Sequence, residues 1–144
     1  MNILRDDRLV ALHDLVEACR NASRHHLLAA ETLAGDPRAA ELHALAEQRS
    51  READYFGERM IAEDDIPAGP PAERSLLESA LARAKGALTD SAVESQLEEC
   101  RAQEETLLAK AGEAGKAPLR DDENKAVADL AEDARRRLET LFKS

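Results

Sequence analysis

Apolar residues recur at every third or fourth position along most of this 144-residue chain, and that spacing constrains the fold more than any other feature. A side chain returns to the same face of an α-helix after three or four residues, whereas a strand alternates its faces at every second residue. The composition also favours helices over strands, because the chain has 28 Ala and 20 Leu but only eleven Val, Ile and Thr together. The sequence therefore predicts an all-α protein with a single domain over residues 1–144.

Capping residues predict where the first two helices meet. The first helix is predicted to begin at Asp6 or Asp7 and to end at Gly35, since glycine readily adopts the left-handed conformation that follows a helix. Asp36 can cap the next helix, and Pro37 fits its first position because no backbone N–H is needed there. Two long helices with so short a connection are expected to form an antiparallel hairpin.

The middle of the chain contains its clearest break. The second helix is predicted to end at about Glu63, because the segment 64–71 is rich in proline and glycine. A shorter helix is predicted over residues 72–88. Ser91 with Glu94 three residues later resembles a capping box, which predicts that the third long helix begins there.

The last long helix is predicted to begin near Asp121 or Asp122, after a glycine-bearing segment over residues 112–118. Four long amphipathic helices are expected to bury their apolar stripes in a four-helix bundle. Alanine side chains bury little area each, so the core should be thin. Association into a homodimer would cover the leucines that remain on the short helix.

Charge and cysteine content exclude several classes of protein. Lys and Arg number 20 against 30 Asp and Glu, and the resulting charge of −10 disfavours binding to nucleic acid or to anionic lipid. No apolar run reaches the length of a membrane span, and the first residues lack the apolar core of a secretory signal. Cys19 and Cys100 form no C-x-x-C motif and are expected to be reduced and packed as small apolar groups. These features predict a cytoplasmic protein.

Ionisable residues interrupt the apolar stripes of the first three long helices, at His26, Arg49, Glu52 and Glu104. In the last helix, Asp133 and Arg137 lie at the border of the stripe. Functional sites in helical bundles are built from polar side chains that point inward, so these residues are the candidates for a site.

Three interpretations of these residues are open. His26, Glu52 and Glu104 could ligate a single iron or manganese ion, although the E-x-x-H pairs that a two-metal centre requires are absent from the sequence. Alternatively the groups satisfy one another, for instance Arg49 with Glu52 or Glu104, in a polar core layer that fixes the register of the helices. In the third interpretation they are exposed to solvent.

Three segments carry a resemblance to a known family: residues 12–31 followed by Asp36–Pro37, residues 45–49 leading to Phe56, and the acidic stretch 97–105. The sequence resembles the bacterial ferritin-like four-helix-bundle family designated domain of unknown function 2383. The resemblance implies a ferritin-like bundle in the cytoplasm, with a stress-related role as its one functional suggestion. Glu104 matches the most recognisable carboxylate of that family.

The chain departs from the family pattern at several positions. Ser23 stands where members often carry Glu, His26 where they often carry Tyr, and Glu52 where Phe is usual. Arg135 or Arg136 stands near a common His.

Taken together, these features predict a small, non-catalytic, self-associating bundle without a cofactor. The alternative is a metal-binding or metal-dependent redox protein with a degenerate site formed by His26, Glu52 and Glu104. A third option is a carrier of an apolar ligand in an alanine-lined cavity.

Overall fold

The computed structural model describes residues 7–61 and 90–143, and every regular element in these two ranges is an α-helix. The helices are α1 (Asp7–Thr32), α2 (Arg38–Ile61), α3 (Asp90–Ala114) and α4 (Asp121–Glu139). The predicted all-α bundle with four long helices is confirmed. The short helix predicted over residues 72–88 lies outside the described residues, as does the predicted end of the second helix at Glu63.

The turn between α1 and α2 follows the sequence prediction. Gly35 has a φ of 95°, the left-handed conformation in which a side chain would be strained. Oδ1 of Asp36 accepts a hydrogen bond of 2.9 Å from the backbone N–H of Arg38, and this bond caps α2. Glycine and aspartate thus end one helix and begin the next within a few residues.

Helix α3 ends within the glycine-bearing segment 112–118, as the sequence predicts. Gly112 lies inside the helix, which continues to Ala114. The N–H of Gly115 still donates to the carbonyl of Ala111 at 3.0 Å, so the helical hydrogen bonds continue to this point. One glycine in a helix costs only about 1 kcal/mol, which neighbouring turns tolerate.

Short connections make α1 and α2 antiparallel, and α3 and α4 antiparallel. Helix α1 packs against both α2 and α3, and α3 packs against α4. The hydroxyl of Ser23 adds a contact within the first pair by donating to the backbone carbonyl of Ala46 at 2.7 Å. Each hairpin is thus fixed by local turns and by packing of the two helices.

Ion pairs between α2 and α4 give the relative direction of the two hairpins. Arg49 contacts Asp133 late in α4, whereas Arg59 contacts Asp122 at its start. Helix α2 is therefore antiparallel to α4, and α2 and α3 run in the same direction. As a result, α2 ends at one end of the bundle and α3 begins at the other.

The core consists of two apolar clusters at different levels along the bundle. The larger cluster includes Leu12, Leu15, Phe56, Leu107 and Leu130. The smaller cluster comprises Ala29, Ala30, Leu33, Leu42, Leu45, Cys100 and Phe142. The ionisable residues that interrupt the apolar stripes of α1, α2 and α3 lie between these two clusters.

Candidate functional site in the bundle core

A layer of polar side chains separates the two apolar clusters. We call it the ionic layer, and its members are His26 from α1, Arg49 and Glu52 from α2, Glu104 from α3 and Asp133 from α4. His26, Arg49 and Glu104 are completely buried. The prediction that these three stripe positions face inward is confirmed, and the interpretation in which they are exposed to solvent is wrong.

Arg49 is the centre of the ionic layer. Its Nη2 donates to Oε1 of Glu104 at 2.6 Å and its Nε donates to Oε2 of the same carboxylate at 3.0 Å. Its Nη1 donates to Oε1 of Glu52 at 2.8 Å, and Nη2 also donates to Oδ2 of Asp133 at 2.9 Å. One planar guanidinium thus binds carboxylates from α2, α3 and α4, a geometry that the fork of arginine allows and that lysine cannot reproduce.

His26 completes the contacts of Glu104. Its Nε2 lies 2.7 Å from Oε2 of Glu104, and because a carboxylate only accepts, Nε2 carries the proton of the imidazole. Burial lowers the pKa of His26 below its ordinary value and outweighs the hydrogen bond that His26 donates to Glu104, which acts to raise it. The imidazole is therefore neutral, and Nδ1 is left as an unprotonated acceptor.

Phe142 covers the other side of His26. The two rings are stacked with centroids 5.5 Å apart and an interplanar angle of 21°. Among residues 7–61 and 90–143, Nδ1 of His26 has no hydrogen-bond partner. Phe142 was missed by the sequence analysis because it lies beyond the end of α4, where helical spacing no longer predicts which side chains are buried.

The pKa values of the three carboxylates in the ionic layer are not all shifted in the same direction. Burial raises the pKa of Glu104, but hydrogen bonds from His26 and Arg49 outweigh it, so that this pKa lies below its ordinary value. The pKa of Asp133 is likewise lowered, because the charges of Arg49 and Arg137 outweigh its burial. For Glu52 burial dominates over its contact with Arg49, and the pKa is raised. Arg49 thus contacts two carboxylates whose pKa is lowered, those of Glu104 and Asp133, and one whose pKa is raised, that of Glu52.

The three residues predicted to bind a metal lie in one layer but are not joined as a set of ligands. His26 contacts Glu104 directly, whereas Arg49 lies between Glu52 and Glu104. In the described part of the chain, no group of three His, Cys, Asp or Glu side chains could hold an ion. The predicted pairing of Arg49 with Glu52 or Glu104 is confirmed for both partners, and the iron or manganese site stays a prediction.

A second buried ionic cluster lies where α1 and α4 begin and was missed by the sequence analysis. Glu123 is completely buried and accepts hydrogen bonds of 2.9 and 2.6 Å from Arg8 and of 3.0 Å from Arg59. It also accepts a hydrogen bond of 3.0 Å from the backbone N–H of Arg120. Its position three residues after Arg120, where a capping-box glutamate stands, was the signal available in the sequence.

The two cysteines are free and buried, as predicted. Burial raises the pKa of both thiols, that of Cys100 to about 12. Since the thiolate is the reactive form, neither group is prepared for nucleophilic or redox chemistry. Both side chains belong to the apolar clusters of the core, and the thiol of Cys100 also donates to the backbone carbonyl of His25 at 3.5 Å.

A surface cavity of about 280 Å³ lies beside Phe142. Its lining includes the charged residues Arg38, Arg101 and Lys143 as well as leucine side chains. This cavity therefore differs from the alanine-lined one expected for an apolar carrier, and the carrier hypothesis stays a prediction.

None of the helices in the described ranges is both long and apolar enough to span a bilayer. The chain matches no protein-family model, no curated protein and no solved structure. Its function is therefore inferred from the geometry of the ionic layer.

Proposed function

We propose that this chain is a small, non-catalytic, self-associating ferritin-like bundle of the cytoplasm, in which the ionic layer holds the four helices in register. The observation that carries the proposal is the set of contacts made by Arg49, which joins carboxylates from three helices around one buried guanidinium. His26 adds the fourth helix through Glu104.

Burial of the reactive groups supports a non-catalytic role. A general acid or base must come within hydrogen-bonding distance of its substrate, directly or through one water. His26, Arg49 and Glu104 are completely buried, and their mutual hydrogen bonds occupy Nε2 of His26, the guanidinium of Arg49 and both carboxylate oxygens of Glu104. The arrangement is that of a structural network.

A buried ionic network favours one axial register of the helices. A shift of one helix by a turn moves its side chains by about 5.4 Å, which would separate Arg49 from Glu104 or Asp133. The displaced charges would then be buried without partners, at a cost of about 3–5 kcal/mol. Alanine-rich apolar surfaces discriminate poorly between registers, so the ionic layer supplies the specificity that they lack.

Helix direction supports the ferritin-like assignment. Helices α2 and α3 run in the same direction, so the connection between them has to join opposite ends of the bundle. Ferritin-like bundles differ from simple up-and-down bundles by one such long crossover.

Exposed apolar side chains support self-association. Val10 is 48% exposed and Ile61 is 57% exposed, and both lie at the end of the bundle where α1 begins and α2 ends. A homodimer that covers this end would remove both from water. Sedimentation equilibrium should give a dimer mass for the wild type and a monomer mass for Val10→Ser/Ile61→Ser, and a wild-type monomer at high concentration would remove this part of the proposal.

Metal analysis distinguishes the proposal from the metal-binding alternative. We expect the purified protein to contain no stoichiometric iron or manganese, and its melting temperature to be unchanged by added Fe²⁺ or Mn²⁺, because a ligand of the native state would raise it. Stoichiometric metal that is lost in Glu104→Gln but retained in the neighbouring exposed Glu105→Gln would establish the alternative instead.

A further inference from the structure

We infer that two copies of this chain associate by exchanging α4, so that α4 of each copy packs against α1, α2 and α3 of the other. The inference rests on the proposed self-association and identifies the surface that mediates it. In such a dimer each ionic layer contains residues of both copies, because Arg49 and Glu104 remain in place while the exchanged helix supplies Asp133. Neither layer is complete without the partner copy.

Charged side chains join α4 to the first two helices. Glu123 accepts hydrogen bonds of 2.9 and 2.6 Å from Arg8 of α1 and of 3.0 Å from Arg59 of α2. Asp133 accepts a hydrogen bond of 2.9 Å from Arg49 of α2. Of the other described helices, α3 alone lies close to the backbone of α4 along its length. Release of α4 therefore separates ion pairs and one helix contact, while α1 stays packed against α2 and α3.

The apolar face of α4 is small. Its buried apolar residues are Val127, Leu130 and Ala134. Segments with few buried apolar contacts are the parts of a protein that open most readily. Among the described helices, α4 is joined to the others through a single connection, so it can leave as one unit.

The surface that α4 covers is complementary to an acidic amphipathic helix. It is bordered by Arg8, Arg49 and Arg59, although the whole chain carries a charge of −10. Charge complementarity of this kind selects one partner over others. Helix α4 of a second copy brings the carboxylates of Glu123 and Asp133 to the same arginines and restores every hydrogen bond that is lost on release. Exchange of an identical element is for this reason a low-cost route to a dimer.

The connection between α3 and α4, residues 115–120, can straighten. The N–H of Leu119 donates to the carbonyl of Ala117 at 2.8 Å and closes a tight turn around Pro118. Proline favours an extended backbone at the residue before it, and Arg120 is already extended, with φ −75° and ψ 162°. Fully extended, such a segment reaches about 20 Å. Packed helices lie only about 8–10 Å apart, so the segment can reach a neighbouring copy.

Two exposed apolar side chains lie at the end of the bundle that carries this connection. Val10 lines a surface cavity of about 260 Å³ together with Ala117 of the connection. Ile61 ends α2 beside the start of α4, where Arg59 contacts Asp122. Exchange of α4 brings two copies together at this end and covers both side chains. The exposed residues and the hinge are independent observations that indicate the same interface.

The test distinguishes exchanged helices from simple contact between two copies. Full-length Arg59→Lys is prepared with light and with heavy nitrogen, and the two preparations are refolded together from urea. A carbodiimide then joins the introduced lysine to Asp122, because Arg59 lies 2.6 Å from that carboxylate and lysine supplies the reactive amine that arginine lacks. Mass spectrometry shows whether the two joined segments carry the same isotope.

We expect about half of this product to join a light segment to a heavy one, as random pairing in an exchanged dimer requires. The internal control is the pair of Lys125 and Asp129, which lie 3.3 Å apart on α4 and must give an isotopically pure product. A dimer by sedimentation equilibrium with only pure Arg59→Lys product overturns the inference and leaves the proposed self-association standing. A monomer at every concentration removes both, so the two failures are distinguishable.

A second measurement does not depend on Arg59. Deletion of residues 115–119 leaves Arg120 alone between the helices, which is shorter than the loops of about two to five residues that join antiparallel helices. Helix α4 then cannot fold back on its own α3, and we expect a dimer at every concentration by sedimentation equilibrium. A folded monomer or an unfolded chain overturns the inference.

Discussion

Arg49 and Glu104 form a two-point ion pair inside the bundle, with hydrogen bonds of 2.6 Å from Nη2 to Oε1 and of 3.0 Å from Nε to Oε2. The pair joins α2 to α3, two helices that do not pack directly against each other along their length. A contact across the centre of the bundle therefore complements the helix pairs that contact through their apolar faces.

Glu104→Gln should destabilise the protein by about 3–5 kcal/mol, because it leaves the buried guanidinium of Arg49 without its closest negative charge. Urea unfolding followed by circular dichroism measures the change. Glu105→Gln is the matched control, since Glu105 is exposed and contacts Arg101 at 3.5 Å, and it should cost less than about 1 kcal/mol. Equal effects of the two variants would show that the buried pair is not important for stability.

We expect the buried ionic cluster around Glu123 to make the protein less stable in acid. Contacts with Arg8, the Arg120 backbone and Arg59 outweigh burial and hold the pKa of Glu123 at about 2, below its ordinary value of 4.5. The unfolded chain therefore binds the proton first, and stability that is present above pH 4.5 is lost as the pH falls toward 2. The contribution is on the order of 3 kcal/mol.

Glu123→Gln should remove this part of the pH dependence, whereas Asp122→Asn, on an exposed neighbour that contacts the same Arg59, should retain it. The measurement is the free energy of unfolding between pH 2 and 6. Parallel profiles for the wild type and Glu123→Gln would contradict the assignment.

Much of the fold could be predicted from helical spacing, because a stripe position determines which way a side chain faces. His26, Arg49 and Glu104 were identified in this way, and all three are buried. Their pairing could be predicted only in outline, since which charges meet depends on the rotation and axial position of whole helices. Helix rotation and axial position are determined by packing between distant parts of the chain, and the spacing of residues along one helix carries no information about them.

The two omissions have different physical causes. Glu123 lies in the first turn of α4, where an acidic residue already complements the helix dipole, so nothing in the sequence required a buried partner such as Arg8. Phe142 follows the helix and is brought back by a turn in which its N–H donates to the carbonyl of Arg137 at 2.9 Å. The spacing of three or four residues predicts burial only within the helix, so it does not identify a buried residue in the turn that follows α4.

Two glycines should respond to alanine in opposite directions. Gly35→Ala should destabilise by about 1 kcal/mol, because its φ of 95° strains any side chain although the surrounding space is open. Gly112→Ala should stabilise by about 0.5–1 kcal/mol, since this residue lies inside α3 and an added Cβ meets no described atom within 4 Å. Thermal melting of both variants checks the prediction, and a shift of the same sign in both would contradict it.

Phe142 should contribute to stability although it lies outside any helix. Phe142→Ala removes a buried ring from the smaller apolar cluster and from its stack on His26, so we expect a loss of about 3 kcal/mol in urea unfolding. Leu141→Ala is the control, because Leu141 is only partly buried and should cost clearly less. Similar losses would mean that Phe142 is not packed as described.

We expect the buried His26 to make the free energy of unfolding depend on pH in the mildly acidic range. Burial keeps its pKa below the usual value of 6.5, so below that pH the unfolded chain takes up a proton that the folded protein does not. The free energy of unfolding should therefore fall as the pH is lowered from 6.5 toward 5, by at most about 1.4 kcal/mol per unit. The raised pKa of Glu52 acts in the opposite sense, because it favours the folded protein as the pH falls. The effect of His26 is therefore measured as the difference between the wild type and a His26 variant.

His26→Gln should flatten the profile between pH 5 and 6.5, because the glutamine amide can still donate to Glu104 but takes up no proton. His43→Gln, at an exposed position, controls for the loss of a histidine. Denaturant unfolding at half-unit pH steps gives the slopes. If His26→Gln keeps the wild-type slope in this window, the buried imidazole is not the group that titrates, and its neutral state in the ionic layer would have to be abandoned.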